Sequence, residues 1–219
     1  YSTGVLWNML GSSTKRIALA MGLPTDVTVN DLIQAARIRL KRPIPPVIIE
    51  RDRATAYENT LLGDDVDVTR FPAPKHWPLD GGYYIGTADA VITRDPEAGH
   101  LNVGTYRMMV HDRNHVGLYC SPGKDARLHL ERWWRAGKPC EIAAVWGVDP
   151  TTFMISAMTM PKTESEFQYI GGIRGEAVEL VKGDVTDLLL PAHAELVIEG
   201  VISPNDYQME GPFGEFTGY

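Results

Sequence analysis

With 219 residues, 44% of them hydrophobic and 22% charged, the chain is long enough for one large domain or one domain plus part of another, and it lacks the composition of a disordered protein. A net charge of −7 argues against a nucleic-acid-binding face and against adhesion to an anionic membrane. Two cysteines, Cys120 and Cys140, do not make a disulfide framework or a zinc knuckle, and the longest apolar runs, such as Val185–Ala194, are too short to span a bilayer.

Ser12 and Ser13 precede a helical stretch, Lys15–Met21, closed by Gly22. Asp31–Arg42 reads as a second helix, with Leu32, Ala35, Ala36, Ile38, Arg39 and Leu40 mostly on one face and Pro43 as its stop. Val47–Ile49 reads as a strand. Prolines 72, 74 and 78 make the 69–77 stretch a connector. From Gly82 the character changes to short β-prone runs, Tyr83–Ile85, Ala90–Thr93 and Asn102–Val110, separated by Gly and Asp-Pro turns. Asp125–Ala136 is the clearest helix, with Pro122-Gly123 before it and Gly137 after it. Ile142–Val148, Val178–Lys182 and Leu196–Ile202 read as further strands. The pattern predicts an α+β chain, α-rich to about residue 75 and mainly β afterwards.

Dinucleotide turns, phosphate loops and nucleophile elbows are absent from the sequence. His111 and His115 are four apart, but their surroundings read as strand and turn. Three segments carry chemistry. The first is Asn102–Arg107 (NVGTYR). An arginine in a run with Tyr106, Met108 and Met109 either alternates into water or turns inward, where a carboxylate matches its planar fork. The second is Glu210–Glu215 (EGPFGE). Its Gly and Pro residues bend the chain around Phe213, leaving two carboxylates either on a surface loop or in one pocket, where a raised proton affinity makes a general acid. The third runs from Met158 to Tyr169. Its carboxylates, with Asn102, offer hard oxygen ligands suited to Mg²⁺ or Mn²⁺.

Taken together, NVGTYR, the 179–200 segment ELVKGDVTDLLLPAHAELVIEG and the terminal EGPFGEFTGY resemble the UbiD family of reversible decarboxylases, from about Gly11 to Tyr219. The resemblance implies a small N-terminal α/β segment over residues 1–78. It then implies a prenylated-FMN-binding domain over 79–219, a split β-barrel of the flavin reductase-like type, incomplete at its C-terminus. Family members are longer at both ends, so the chain is expected to be an internal piece. By motif match the catalytic residues are Arg107, Glu210 and Glu215. Asn102, Thr105, Tyr106, Arg107 and Met158 correspond to cofactor-binding positions, and Asn102 and Glu166 to ligands of the divalent metal at the cofactor phosphate.

The family's metal site usually adds a histidine shortly after the arginine strand. Here that stretch is Ser121–Asp125 (SPGKD), so Asp125 is the candidate oxygen ligand in its place, and His129 reads as an ordinary helix residue. The implied cofactors are prenylated FMN and Mn²⁺ or Mg²⁺, with K⁺ as a further ion. The implied partners are an aromatic, heteroaromatic or α,β-unsaturated acid, CO₂, a flavin prenyltransferase that supplies the cofactor, and copies of the chain in a homo-oligomer. A cytoplasmic location is expected, with no nucleic-acid or membrane partner. A flavin-binding module or an assembly subunit without decarboxylase activity is the alternative.

Overall fold

The structure, a computed structural model, describes residues 4–6, 9–11, 13–162 and 164–214. Two capped helices open the chain. Ser13 caps α1 (Thr14–Ala20), and Thr28 with Asp31 forms a capping box on α2 (Val29–Arg39). The second helix ends at Arg39, three residues before its predicted end at Arg42. Beyond it the chain turns onto α5 (Glu166–Arg174), where Arg39 Nη1 donates to the Ile173 carbonyl at 2.5 Å and Ile44 N–H to the Gln168 carbonyl at 2.9 Å. A Cβ at Gly172 would meet the Arg42 carbonyl at 2.8 Å, so the approach depends on glycine. Of the predicted face of α2, Leu32 is buried, Ala35, Ala36 and Leu40 pack partly buried against the core, and Ile38 is exposed.

The strands are β1 (Val47–Ile48), β2 (Tyr83–Gly86), β3 (Ala90–Arg94), β4 (Leu101–Gly104), β5 (Arg107–Val110), β6 (Val116–Tyr119), β7 (Cys140–Trp146), β8 (Glu179–Lys182), β9 (Leu189–Pro191) and β10 (Leu196–Ile202). They form a central antiparallel sheet ordered β10-β7-β3-β4, an antiparallel sheet β2-β5-β6, and a small sheet β1-β8-β9 in which β1 runs parallel to β8. Among the described residues no closed barrel is seen, so the α+β class holds while the split-barrel detail is not resolved by these sheets.

Alternation along the central strands divides the core. Ala90, Ile92, Ala143 and Val145 face a cluster completed by Ile155 of α4 (Pro150–Ser156), by Phe167, Ile170 and Ile173 of α5, and by Leu180 and Leu190. Val91, Ile142 and Ala144 face the other way, onto Ile85, Met108, Tyr106 and Ala126 of α3 (Asp125–Arg135).

The run expected as one strand over Asn102–Val110 is two, in different sheets. The ladder breaks at Thr105 and Tyr106. Thr105 N–H donates to the Ser156 carbonyl at 3.2 Å, and Tyr106 folds beneath Gly104, where a Cβ would lie 2.5 Å from its ring. That crossing sets Asn102 and Arg107 on two sheets that share one cleft.

Candidate active site

The cleft, about 540 Å³, opens where β4 passes into β5 and is closed by the N-terminus of α3, the end of α4 and the start of α5. It brings together Asn102, Thr105, Tyr106, Arg107, Asp125, Met158 and Glu166. Glu210 joins through Arg107. Glu215 lies outside the described residues.

Arg107 begins β5 and turns inward. Its Nε and Nη2 donate to the two oxygens of Glu210 at 2.7 and 2.6 Å, the bidentate geometry in which a guanidinium best matches a carboxylate. Both side chains are largely shielded, at 17% and 14% exposure. Rings surround the guanidinium, with Tyr119 4.6 Å and Phe213 4.7 Å from its carbon. Tyr84 packs edge-on against Phe213 at 4.5 Å. Burial pushes the Tyr84 phenol up to about 12, with the Glu210 charge adding to it.

The Glu210–Gly214 bend is fixed by a residue that sequence reading did not single out. Asp80 accepts from Gly214 N–H at 2.9 Å and from Trp77 N–H at 2.8 Å, and Gly81 N–H donates to the Pro212 carbonyl at 2.7 Å. Burial works to raise the Asp80 carboxyl, but hydrogen bonds from backbone N–H groups hold it below the usual range. Gly81 belongs to the same contact, because a Cβ there would fall on the Gly211 carbonyl. The Asp-Gly-Gly run at 80–82 was the available signal.

The other end of the cleft is different. Asn102 sits in a fully buried strand at 5% exposure, and its Nδ2 has no hydrogen-bond partner among the described residues. Glu166, capped in by Ser165 at the start of α5, accepts from Val103 N–H at 2.7 Å. Burial raises its carboxyl to about 7, with the Asp125 charge contributing. Asp125 opens α3 and pairs with Lys162 across 3.2 Å. Thr105 Oγ1 shares a hydrogen bond with Ser156 at 3.0 Å, Met158 is exposed at the rim, and the Tyr106 hydroxyl accepts from Ala126 N–H at 3.1 Å. Tyr106 therefore positions α3 as well as lining the cleft.

The Asn102 side-chain oxygen, the desolvated Glu166 carboxylate and the Asp125 carboxylate offer an all-oxygen donor set that fits a hard divalent cation, while the unpartnered Asn102 Nδ2 is a donor that suits an anion. The α3 N-terminus next to them suits a phosphate.

Other expectations sort out more simply. His111 and His115 close the β5–β6 turn, with His115 Nδ1 2.9 Å from Asp112. Cys120 and Cys140 are free, and burial raises both thiols to about 12, which makes them poor nucleophiles. His129 lies on α3 as expected, but it faces inward. It is 2% exposed, lies 2.9 Å from Thr93 Oγ1, and burial pushes its pKa down to about 4. Among the described residues no helix is long and apolar enough to cross a membrane.

Residues 47–219 match the family described as 3-octaprenyl-4-hydroxybenzoate carboxy-lyase Rift-related domain, UbiD. The chain is 36% identical over 205 residues to pyrrole-2-carboxylic acid decarboxylase of Pseudomonas aeruginosa, covering 93% of this chain and 41% of the relative. It is 35% identical over 208 residues to ferulic acid decarboxylase 1 of Saccharomyces cerevisiae, covering 93% and 41%. Among solved structures, vanillic acid decarboxylase of Sedimentibacter hydroxybenzoicus in its closed form superposes with a TM-score of 0.90 at 32% identity, covering 96% of this chain and 45% of that one. The UbiD-class enzyme HmfF from Pelotomaculum thermopropionicum, in complex with FMN, superposes at 0.87 and 30% identity, covering 96% and 46%. The chain spans less than half the length of these relatives.

Proposed function

The chain belongs to the UbiD family, and on that premise we propose that it forms the cofactor and substrate cleft of a reversible, non-oxidative decarboxylase. The substrate class is an aromatic, heteroaromatic or α,β-unsaturated carboxylic acid. The cofactor is prenylated FMN, as in an evolved form of HmfF whose structure holds it. The observation that carries this reading is the shielded, ring-enclosed Arg107–Glu210 pair facing the same cleft as Asn102, Asp125 and Glu166.

Prenylated FMN, when bound, supplies the electron sink that the carbon losing CO₂ lacks and that no side chain offers. Asn102 and Glu166 would hold the divalent metal, Mn²⁺ or Mg²⁺, at the cofactor phosphate, with Asp125 as third ligand once Lys162 releases it. Thr105, Tyr106, Arg107 and Met158 would flank the flavin. Arg107 would orient the substrate carboxylate, so that the bond to CO₂ breaks with its electron pair left on the carbon. Glu215, protonated, would deliver the proton that takes the place of CO₂, and Glu210 would keep Arg107 aligned. A K⁺ ion, a flavin prenyltransferase as supplier, a homo-oligomer, a cytoplasmic location and a split barrel over 79–219 following a segment at 1–78 belong to the same proposal.

The test is Glu215→Gln in the intact protein loaded with prenylated FMN. Turnover and solvent proton exchange should fall by about 10²–10⁴-fold with the flavin still bound. Unchanged turnover would remove Glu215 from the mechanism. Flavin uptake without CO₂ release from any aromatic acid in the unsubstituted protein would leave a flavin-binding module instead.

A further inference from the structure

One turn along α3 from Asp125, outside the cleft, a second group of metal-ligating side chains converges. Asp95 ends the β3 edge of the β3–β4 hairpin, His100 leads into β4, and His129 projects from α3 between them. One ligand atom from each lies within 4.8 Å of the others. Asp95 and His129 are each 2% exposed. The hairpin holds its two ligands in fixed relation, because Asp95 N–H donates to the His100 carbonyl at 3.0 Å and Gly99 N–H to the Asp95 carbonyl at 2.9 Å.

We propose that Asp95, His100 and His129 form a structural Zn²⁺ site that pins α3 to the β3–β4 hairpin. Two observations and one analogy support it. First, Thr93 Oγ1 engages His129 Nδ1 at 2.9 Å, so the other ring nitrogen, Nε2, faces Asp95 Oδ2 across 3.8 Å. That gap is too long for a hydrogen bond and close to the span of two ligands about 2 Å from one ion. Second, His100 Nδ1 is buried with no hydrogen-bond partner among the described residues, and its ring stands edge-on to His129 with centroids 5.4 Å apart. Third, Thr93 acts on His129 as outer partners act on metal-bound histidines, fixing the ring and leaving one nitrogen for the ion.

Two imidazoles and one carboxylate suit Zn²⁺, whereas the all-oxygen set of the cleft suits a harder ion. Arg132 contacts Asp95 Oδ2 and serves as the placeholder cation. Its side chain is 31% exposed and its Nε already lies 3.8 Å from Glu97, so it can move to that carboxylate when an ion takes Asp95. A water completes the fourth position.

The experiment is Zn²⁺ titration of the intact protein after chelator treatment, followed by calorimetry and by the visible spectrum of the Co²⁺ form. The site predicts one Zn²⁺ per chain with a Kd of about 1 μM or tighter. Binding should be insensitive to Asp125→Asn, and Zn²⁺ should raise the melting temperature. His100→Ala, at the partly exposed hairpin, should retain the fold by circular dichroism and weaken Zn²⁺ binding by about 100-fold or more, with loss of the Co²⁺ spectrum. Thr93→Val should cost about 10–100-fold. No Zn²⁺ binding near 1 μM, or binding unchanged by His100→Ala, would overturn the site and leave Arg132 as its only cation.

Discussion

At one end of the cleft Arg107 and Glu210 satisfy each other through two hydrogen bonds, walled by Tyr84, Tyr119 and Phe213. At the other, Asn102 lacks a partner for its amide nitrogen among the described residues and Glu166 carries a carboxyl raised by burial. The first end is already paired within the chain, which suits orientation of a reacting group. The second is left electrostatically unfinished, and a bound cation with its phosphate is what would finish it. In this cleft the unsatisfied polar group lies at the end where a ligand would bind, and the satisfied pair at the end where geometry is needed.

Removing one member of the paired end has the largest effect. Arg107→Ala leaves Glu210 shielded without its partner and should cost about 3–5 kcal/mol in urea unfolding, with decarboxylation lost. The double substitution Arg107→Met with Glu210→Leu should recover most of that stability while staying inactive. A double variant as unstable as the sum of the single ones would mean that the pair is not coupled.

Asp89 shows what an unfinished group costs when no ligand is offered to it. Both its oxygens are buried without partners among the described residues, and burial raises its carboxyl to about 7. The folded state therefore holds its proton to higher pH than the unfolded chain. The contribution is fully present below about pH 4 and is lost as pH rises toward 7, by up to about 4 kcal/mol. Asp89→Asn should flatten that decline relative to the unsubstituted protein between pH 4 and 7. An unchanged slope would assign the decline to other groups.

Glu166→Gln separates stability from ligand binding at the unfinished end. With no cation present it should raise stability at pH 7.5 by about 1–2 kcal/mol, because a buried charge is removed. It should also weaken Mn²⁺ binding by about 10-fold or more and abolish stabilisation by Mn²⁺. A variant that binds Mn²⁺ as before would move the metal elsewhere. The smallest effect is expected from Lys162→Met. It frees Asp125 and should tighten Mn²⁺ binding a few-fold, about 1 kcal/mol or less, with little change in unfolding. Weaker Mn²⁺ binding would show that Lys162 supports the site and does not compete with the ion.

Much of this was legible in the sequence, for identifiable reasons. Leu196–Ile202 and Asp125–Arg135 carry strong local signals, an apolar run in one case and flanking Gly residues in the other, and both lie where expected. The helices Pro150–Ser156 and Glu166–Arg174 were not foreseen. One is rich in β-branched residues and the other contains Gly171-Gly172, so local propensity argues against both, and packing on the core overrides it. Their N-caps, Asp149 and Ser165, were the readable signals.

Within the site, residue types pointed to Asn102, Arg107 and Glu166, but pairing was beyond local pattern. That Arg107 turns inward, and onto Glu210, depends on the strand changing sheets at Thr105 and on Asp80 holding the distant bend. Nothing local to Arg107 encodes either. The same holds for His129, whose burial depends on a hairpin about thirty residues away in sequence.

The most direct test is the visible spectrum and CO₂ release of the intact protein co-expressed with a flavin prenyltransferase, compared with Arg107→Ala and Glu166→Gln. The account predicts a flavin spectrum and CO₂ release from at least one aromatic or unsaturated acid in the unsubstituted protein. It predicts retained flavin without CO₂ release in Arg107→Ala, and lost flavin in Glu166→Gln. A colourless unsubstituted protein, or flavin held equally well in Glu166→Gln, would contradict the division of the cleft into an orienting end and a cofactor-binding end.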